Sequence, residues 1–232
     1  MYRFYPDNSI LKGFLLSQKA LVNIDMDFAN GVSDIPNRGT GGSGYDLDTN
    51  VGTEANRKLH PTGSCLLFGA SGDYASTPDS AAASITGDID IRAKVAMDDW
   101  TPSGSNRTIV GKYESTGNQR SYLFGLTATT GLLRFLASVD GASNTVAVVS
   151  TVAPTVSDGD TLWVRATFDV DNGSSGNTVT FYTSSDGESW AQLGDPVVTA
   201  GTTSIFDSTA PLEVGAHGGG TSNVDGNIYR GS

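Results

Sequence analysis

Apolar and polar residues alternate with a period of two over much of the chain. Ile89, Ile91, Ala93, Val95 and Met97 are interleaved with Asp90, Arg92, Lys94 and Ala96. Successive side chains of a strand point to opposite sides, so this pattern predicts one buried and one wet face. Tyr122, Phe124 and Leu126 repeat it, as do Leu133, Phe135, Ala137 and Val139, then Leu162, Val164, Ala166, Phe168 and Val170. Val179 with Phe181, Leu212 with Val214, and Ile228-Tyr229-Arg230 predict three later strands, and residues 20–28 an early one. Between them Asp140-Gly141, Asp158-Gly159, Asn172-Gly173 and Asp186-Gly187 offer the positive φ that tight β-turns demand. Short strands with turn signals between them predict an antiparallel sandwich rather than βαβ units.

Two stretches break the rhythm. In residues 1–20, Ile10, Leu11, Phe14 and Leu15 recur at helical spacing after Asn8-Ser9, which predicts a short helix or an arm. The polar, glycine-rich residues 30–61 predict irregular wrapping with short strands at most.

Composition narrows the function classes. The chain has 232 residues, 38 % of them hydrophobic, with 29 glycines and 8 prolines, enough for one large sandwich. Fourteen basic against 25 acidic residues give a formal charge of −11, which disfavours nucleic acid and anionic membrane as partners. Cys65 is the single cysteine, set in an apolar run, so it is expected to be a buried thiol. The apolar stretch at residues 10–16 is broken by Lys12 and Gly13, and no secretory signal is read there.

The run Leu67-Phe68-Gly69-Ala70-Ser71-Gly72-Asp73-Tyr74, leading to Pro78-Asp79, resembles the early strand pair of LamG-like, concanavalin A-type jellyroll domains. The segments Ile89-Asp90-Ile91-Arg92, Trp100-Thr101-Pro102, Trp163-Val164-Arg165 and Thr180-Phe181-Tyr182 extend the likeness, which is similar to minor tail proteins of phages that infect actinobacteria. The resemblance implies an all-β, two-sheet antiparallel jellyroll over residues 21–232; residues 1–20 lie outside it and are read from their apolar side chains as an N-terminal assembly arm. Ending at Gly231-Ser232, the last strand reads as incomplete, so Ile228 to Arg230 is expected to leave an open sheet edge.

Catalytic chemistry is sparse. A glycosidase needs two carboxylates about 5–10 Å apart. The four glutamates, Glu54, Glu114, Glu188 and Glu213, share no local motif, and Asp88 with Asp90 reads as a wet strand face. His60 and His217 stand beside no nucleophile elbow. No cofactor is expected. Calcium is the one metal whose chemistry suits loop-tip oxygens, with Asp73, Asp98 and Asp99 as rim acids, while Asp169-Val170-Asp171-Asn172-Gly173 reads as a hairpin turn. The run 184–190 approaches an Asp-box hairpin with Trp190 packed over it, and Trp163 reads as packing.

Sugar recognition needs an aromatic platform flanked by amide or guanidinium groups, and Trp100, Asn118 and Arg120 supply those types. Assembly is assigned to Tyr2, Phe4, Tyr5, Ile10, Leu11, Phe14 and Leu15. The expectation is therefore a non-enzymatic bacteriophage structural protein on the virion surface, a minor tail protein or capsid decoration. It would associate with other virion proteins or its own copies and bind cell-surface polysaccharide. The alternatives are a carbohydrate-binding module and a cryptic glycosidase.

Overall fold

A computed structural model describes residues 72–231, together with five short strands before them. Among the described residues every helix or strand is a strand: β1 (Ile24–Asp25), β2 (Asp34–Ile35), β3 (Leu47–Thr49), β4 (Arg57–His60), β5 (Gly63–Phe68), β6 (Ala75–Thr77), β7 (Ile89–Met97), β8 (Arg107–Glu114), β9 (Gln119–Leu126), β10 (Leu133–Ala137), β11 (Val146–Val149), β12 (Thr161–Asp169), β13 (Gly176–Ser184), β14 (Ala191–Gln192), β15 (Val197–Ala200), β16 (Leu212–Val214) and β17 (Gly226–Gly231). They form two antiparallel sheets. Sheet A runs β14-β13-β12-β7-β17-β5-β4, with β15 beside β13 and β1 beside β17; sheet B runs β11-β10-β9-β8-β16-β6-β3-β2.

The period-two pattern acts as expected except at Val139, which lies past the end of β10 and is exposed. Ile89, Ile91, Ala93, Val95 and Met97 turn into the core with Val164, Ala166, Phe168, Val179 and Phe181, facing Phe124, Leu126, Leu133 and Phe135 of sheet B. Two ring pairs bridge the sheets: Phe124 with Phe181 at 6.5 Å and Phe135 with Phe168 at 5.3 Å. Lys112 also lies fully buried on β8, donating to the Asp79 carboxylate at 2.7 Å and to the carbonyls of Ser208 and Ala210. It thereby ties the segments around Asp79 and Ser208 to the sheet.

Two expectations need correcting. The strand begun at Ile228 is not an edge, because β17 spans six residues and pairs with β7 on one side and β5 and β1 on the other. Asp158-Gly159 does not close a hairpin, because the strands it joins, β11 and β12, belong to opposite sheets. Gly159 does take positive φ, 78°, and donates to the carbonyl of Met97, while Asp158 accepts from Trp100 N at 2.8 Å. The other three turns join neighbouring strands, with Gly141, Gly173 and Gly187 at φ of 75°, 71° and 76°. The arm at residues 1–20, and with it every assembly residue from Tyr2 to Leu15, lies outside the described residues, as does the side chain of Cys65.

Candidate functional site on the outer face of sheet A

Trp100 cannot serve as a sugar platform. It is 4 % exposed and belongs to the core, its N–H capped by Asp158 and its carbonyl so close to Gly131 that a Cβ there would stand 2.4 Å away. Asn118 and Arg120 sit at the other end of β9, roughly 23 Å from the end that Trp100 approaches, at about 3.3 Å per residue. Arg120 is a clamp between loops, donating from Nη1 to the carbonyls of Gly141 at 3.2 Å and Ala142 at 2.7 Å. Asn118 is an exposed turn residue with φ of 59°. The structure does not bring these three together.

It does assemble a different set. On the outward side of sheet A the register places Arg165 of β12 directly between Arg92 of β7 and Tyr182 of β13, and Trp163 beside Lys94. Two arginines opposite each other would repel, but Asp90 on the same face accepts from both. Its Oδ1 receives Nε of Arg92 at 3.1 Å and of Arg165 at 2.9 Å, and its Oδ2 receives Nη2 of each at 2.7 and 2.8 Å. Burial pushes the Asp90 carboxyl up, but the hydrogen bonds and charges of Arg92 and Arg165 outweigh it and hold it below the usual carboxylate range. Neither Nη1 has a protein acceptor among the described residues.

Aromatic rings floor and flank the pair. The guanidinium carbons lie 5.7 Å (Arg92) and 5.6 Å (Arg165) from the Trp190 ring centre, and Arg165 lies 4.8 Å from that of Tyr182. Trp163 meets Trp190 edge-on at 6.4 Å. Trp190 is placed by the turn before it: Ser184 Oγ accepts from Gly187 N, and Asp186 Oδ1 accepts from Glu188 N and Ser189 N, each at 2.8 Å. These bonds, that from Ser189 N first, bring the Asp186 carboxyl down to about 2. Gly187 takes its positive φ against the Trp163 ring, where a Cβ would stand 2.6 Å away. Trp163 is thus the ring packed on this turn, where Trp190 was expected, and both rings are half-buried. Further along, Lys94 lies 5.1 Å from the Tyr229 ring, its pKa lowered by burial.

Sheet B carries a second polar group that the sequence did not suggest. Tyr113 packs edge-on to His217 at 5.1 Å, His217 Nδ1 bonds Thr108 Oγ1 at 2.8 Å, and Glu114 and Glu213 come close enough to repel. Glu213 is 1 % exposed; its Oε1 accepts from Gly219 N at 2.9 Å, and its Oε2 has no partner among the described residues. Burial raises its pKa, Gly219 and Gly218 oppose, and the Glu114 charge adds to the rise. A carboxyl enclosed to that degree does not reach a substrate. Asp88 and Asp90 are likewise committed, Asp88 to the Val170 N–H at 2.9 Å. Asp169, Asp171 and Asn172 accept from backbone N–H groups of their own hairpin, and among the described residues no three His, Cys, Asp or Glu side chains gather for a metal. A shallow depression of about 530 Å³ lined by Thr155, Val156, Ser157, Asp160, Thr161 and Leu162 has one carboxylate and no aromatic ring.

No family model matches the chain, and no curated protein matches it in sequence. Solved structures do. The CBM40 of the Ruminococcus gnavus IT-sialidase, bound to α2,3-sialyllactose, superposes with a TM-score of 0.52 at 10 % identity, covering 72 % of this chain and 86 % of that one. The binding domain of botulinum neurotoxin DC, in complex with SialylT, gives 0.52 at 13 % identity over 90 % of this chain and 44 % of that one. Mouse laminin α1 domains LG4-5 give 0.42 at 16 % identity, over 70 % and 38 %. The fold is the two-sheet jellyroll sandwich of the two structures that superpose at 0.52.

Proposed function

We propose that this chain is a non-enzymatic, glycan-binding jellyroll on the surface of a bacteriophage particle, and that the outer face of sheet A is its binding surface. The observation that carries the binding reading is the grouping of Trp190, Tyr182, Arg92 and Arg165 on one outward strand face. A half-buried indole supplies apolar area for a sugar ring, and guanidinium N–H groups supply fixed donors for hydroxyls. The two neighbours that superpose at 0.52 hold α2,3-sialyllactose and SialylT, which supports the same reading. The phage setting is supported by the motif resemblance alone, and residues 1–20 are assigned to assembly on the particle for their dense apolar side chains.

Calorimetric titration of the purified protein with host-wall polysaccharide fragments tests this. Binding that falls at least tenfold in Trp190→Ala, without release of reducing sugar, is the expected result. Unchanged binding in Trp190→Ala, or steady hydrolysis, overturns the site or the non-enzymatic reading respectively.

A further inference from the structure

The ionic part of the sheet A face says more than the aromatic part. Arg92 and Arg165 point the same edge, Nε and Nη2, at one shared carboxylate, which leaves Nη1 of each without a protein acceptor among the described residues. Their side chains are 37 % and 20 % exposed. Holding two guanidiniums side by side before a ligand arrives removes most of the ordering entropy that recognition by two mobile arginines would require. The local charge is also opposite to that of the molecule. Arg92 and Arg165 share the single carboxylate of Asp90, so this group carries +1 (two minus one), in a chain whose formal charge is −11. Asp90 is held ionised, so it balances one guanidinium and leaves the other uncompensated.

We infer that this face recognises a carboxylate-bearing saccharide, with Arg92 and Arg165 each donating to the acid group while Trp190 takes the sugar ring. The inference rests on the glycan reading above and narrows it to an acidic ligand. A hydroxyl would meet the free guanidinium N–H groups only as a neutral acceptor, whereas charge-assisted bonds are roughly twice as strong. A carboxylate presents two oxygens, one for each arginine. Asp90 is a positioning residue: it touches the arginines, not the ligand. Two sources supply such an acid, a hexuronate and a nine-carbon 2-ulosonate, and both present a carboxylate on a pyranose ring.

The test compares each acid with its own methyl ester, which keeps the ring and removes the charge. Trigalacturonate and the methyl α-glycoside of N-acetylneuraminate, each as acid and as ester, are titrated calorimetrically into wild type, Arg92→Gln, Arg165→Gln and Trp190→Ala. Poly(glycerol phosphate) serves as a non-carboxylate anion. At least one acid is expected to bind ten times or more tightly than its ester, and which one does so identifies the source. That preference should shrink several-fold between 50 and 500 mM salt and disappear in both arginine variants. Equal binding of acid and ester to wild type overturns the inference and leaves the glycan reading standing. Binding of poly(glycerol phosphate) alone overturns the carboxylate class. If host-wall fragments also fail to bind, the glycan reading itself falls. The acid-to-ester ratio in wild type decides the matter even if a variant folds poorly.

Discussion

The two outer faces of the sandwich start from the same period-two pattern and end as opposites. On sheet A the outward residues Asp90, Arg92 and Arg165 stay at the surface, and the one carboxylate is shared by two cations. On sheet B the outward row through Glu213, Gly111, Leu123 and Leu136 is covered; Leu123 is 1 % and Leu136 7 % exposed, and they pack with Tyr113 apart from the main core. Glu213 in the same row has backbone N–H groups for company rather than a cation. A face available to ligand keeps its charges balanced and its donors half free. A covered face spends its polar groups on holding loops down.

Substitution at outward positions should separate the faces most sharply. Leu123→Ala removes a buried side chain from sheet B and is expected to cost about 3 kcal/mol. Arg92→Ala, outward on sheet A, is expected to cost no more than about 1 kcal/mol, because its ion pair is partly exposed and screened. Urea unfolding of the two variants measures both. Equal costs would mean that the faces are alike in packing and that sheet A is not an open surface.

How far this was readable in sequence depends on the distance each feature spans along the chain. Alternation placed β7, β9, β10 and β12 because each keeps its phase. In β8 it fails, since register shifts between Thr108 and Val110 and between Lys112 and Tyr113 break the alternation, and Lys112 ends up inside. Asp90 and Arg92 are two residues apart and visibly share a face. That Arg165 stands opposite Arg92 follows only from the β7–β12 register. The same limit hid Glu114 beside Glu213, whose strands meet through Glu213 opposite Gly111. Trp100 misled for another reason. Its neighbours Asp98, Asp99 and Thr101 read as a wet loop, but Asp99 turns back on Thr101, Asp158 caps Trp100 N, and Gly131 lets the backbone approach. The turn at 184–190 was readable as a hairpin because all its bonds are local, and the sheet face receiving Trp190 was not.

The carboxylate of sheet B gives the next largest effect, and its sign is positive. Burial raises the Glu213 pKa above the ordinary 4.5, so the folded state disfavours the ionised form. The associated stability is present below pH 4.5 and is lost as pH rises through the folded value. At pH 7 folding of the wild type must therefore either enclose that charge beside Glu114 or take up a proton, and both cost stability. Glu213→Gln keeps an oxygen for Gly219 N and removes that charge, so it should stabilise by about 1 kcal/mol at pH 7. At pH 4 the gain should vanish. Chemical unfolding at both values checks this, and destabilisation at pH 7 would show that the carboxylate has a cation partner.

The matching change on sheet A should run the other way and be smaller. The Asp90 pKa lies below the ordinary 3.8, because its bonds to Arg92 and Arg165 outweigh burial. Its contribution is therefore present above pH 3.8 and lost as pH falls through the folded value, the reverse of the Glu213 window. Its side chain is 36 % exposed, so solvent and salt screen the pairs and their worth is held to about 0.5 kcal/mol. Asp90→Asn should thus destabilise slightly at pH 7, and by less still in 0.5 M salt. As pH falls below 3.8 its unfolding curve should converge on that of wild type. Thermal unfolding across that range, run beside Glu213→Gln, compares two carboxylate-to-amide changes at once. If both shift stability in the same direction at pH 7, the contrast between a charge shared by arginines and a charge enclosed by glycines is wrong.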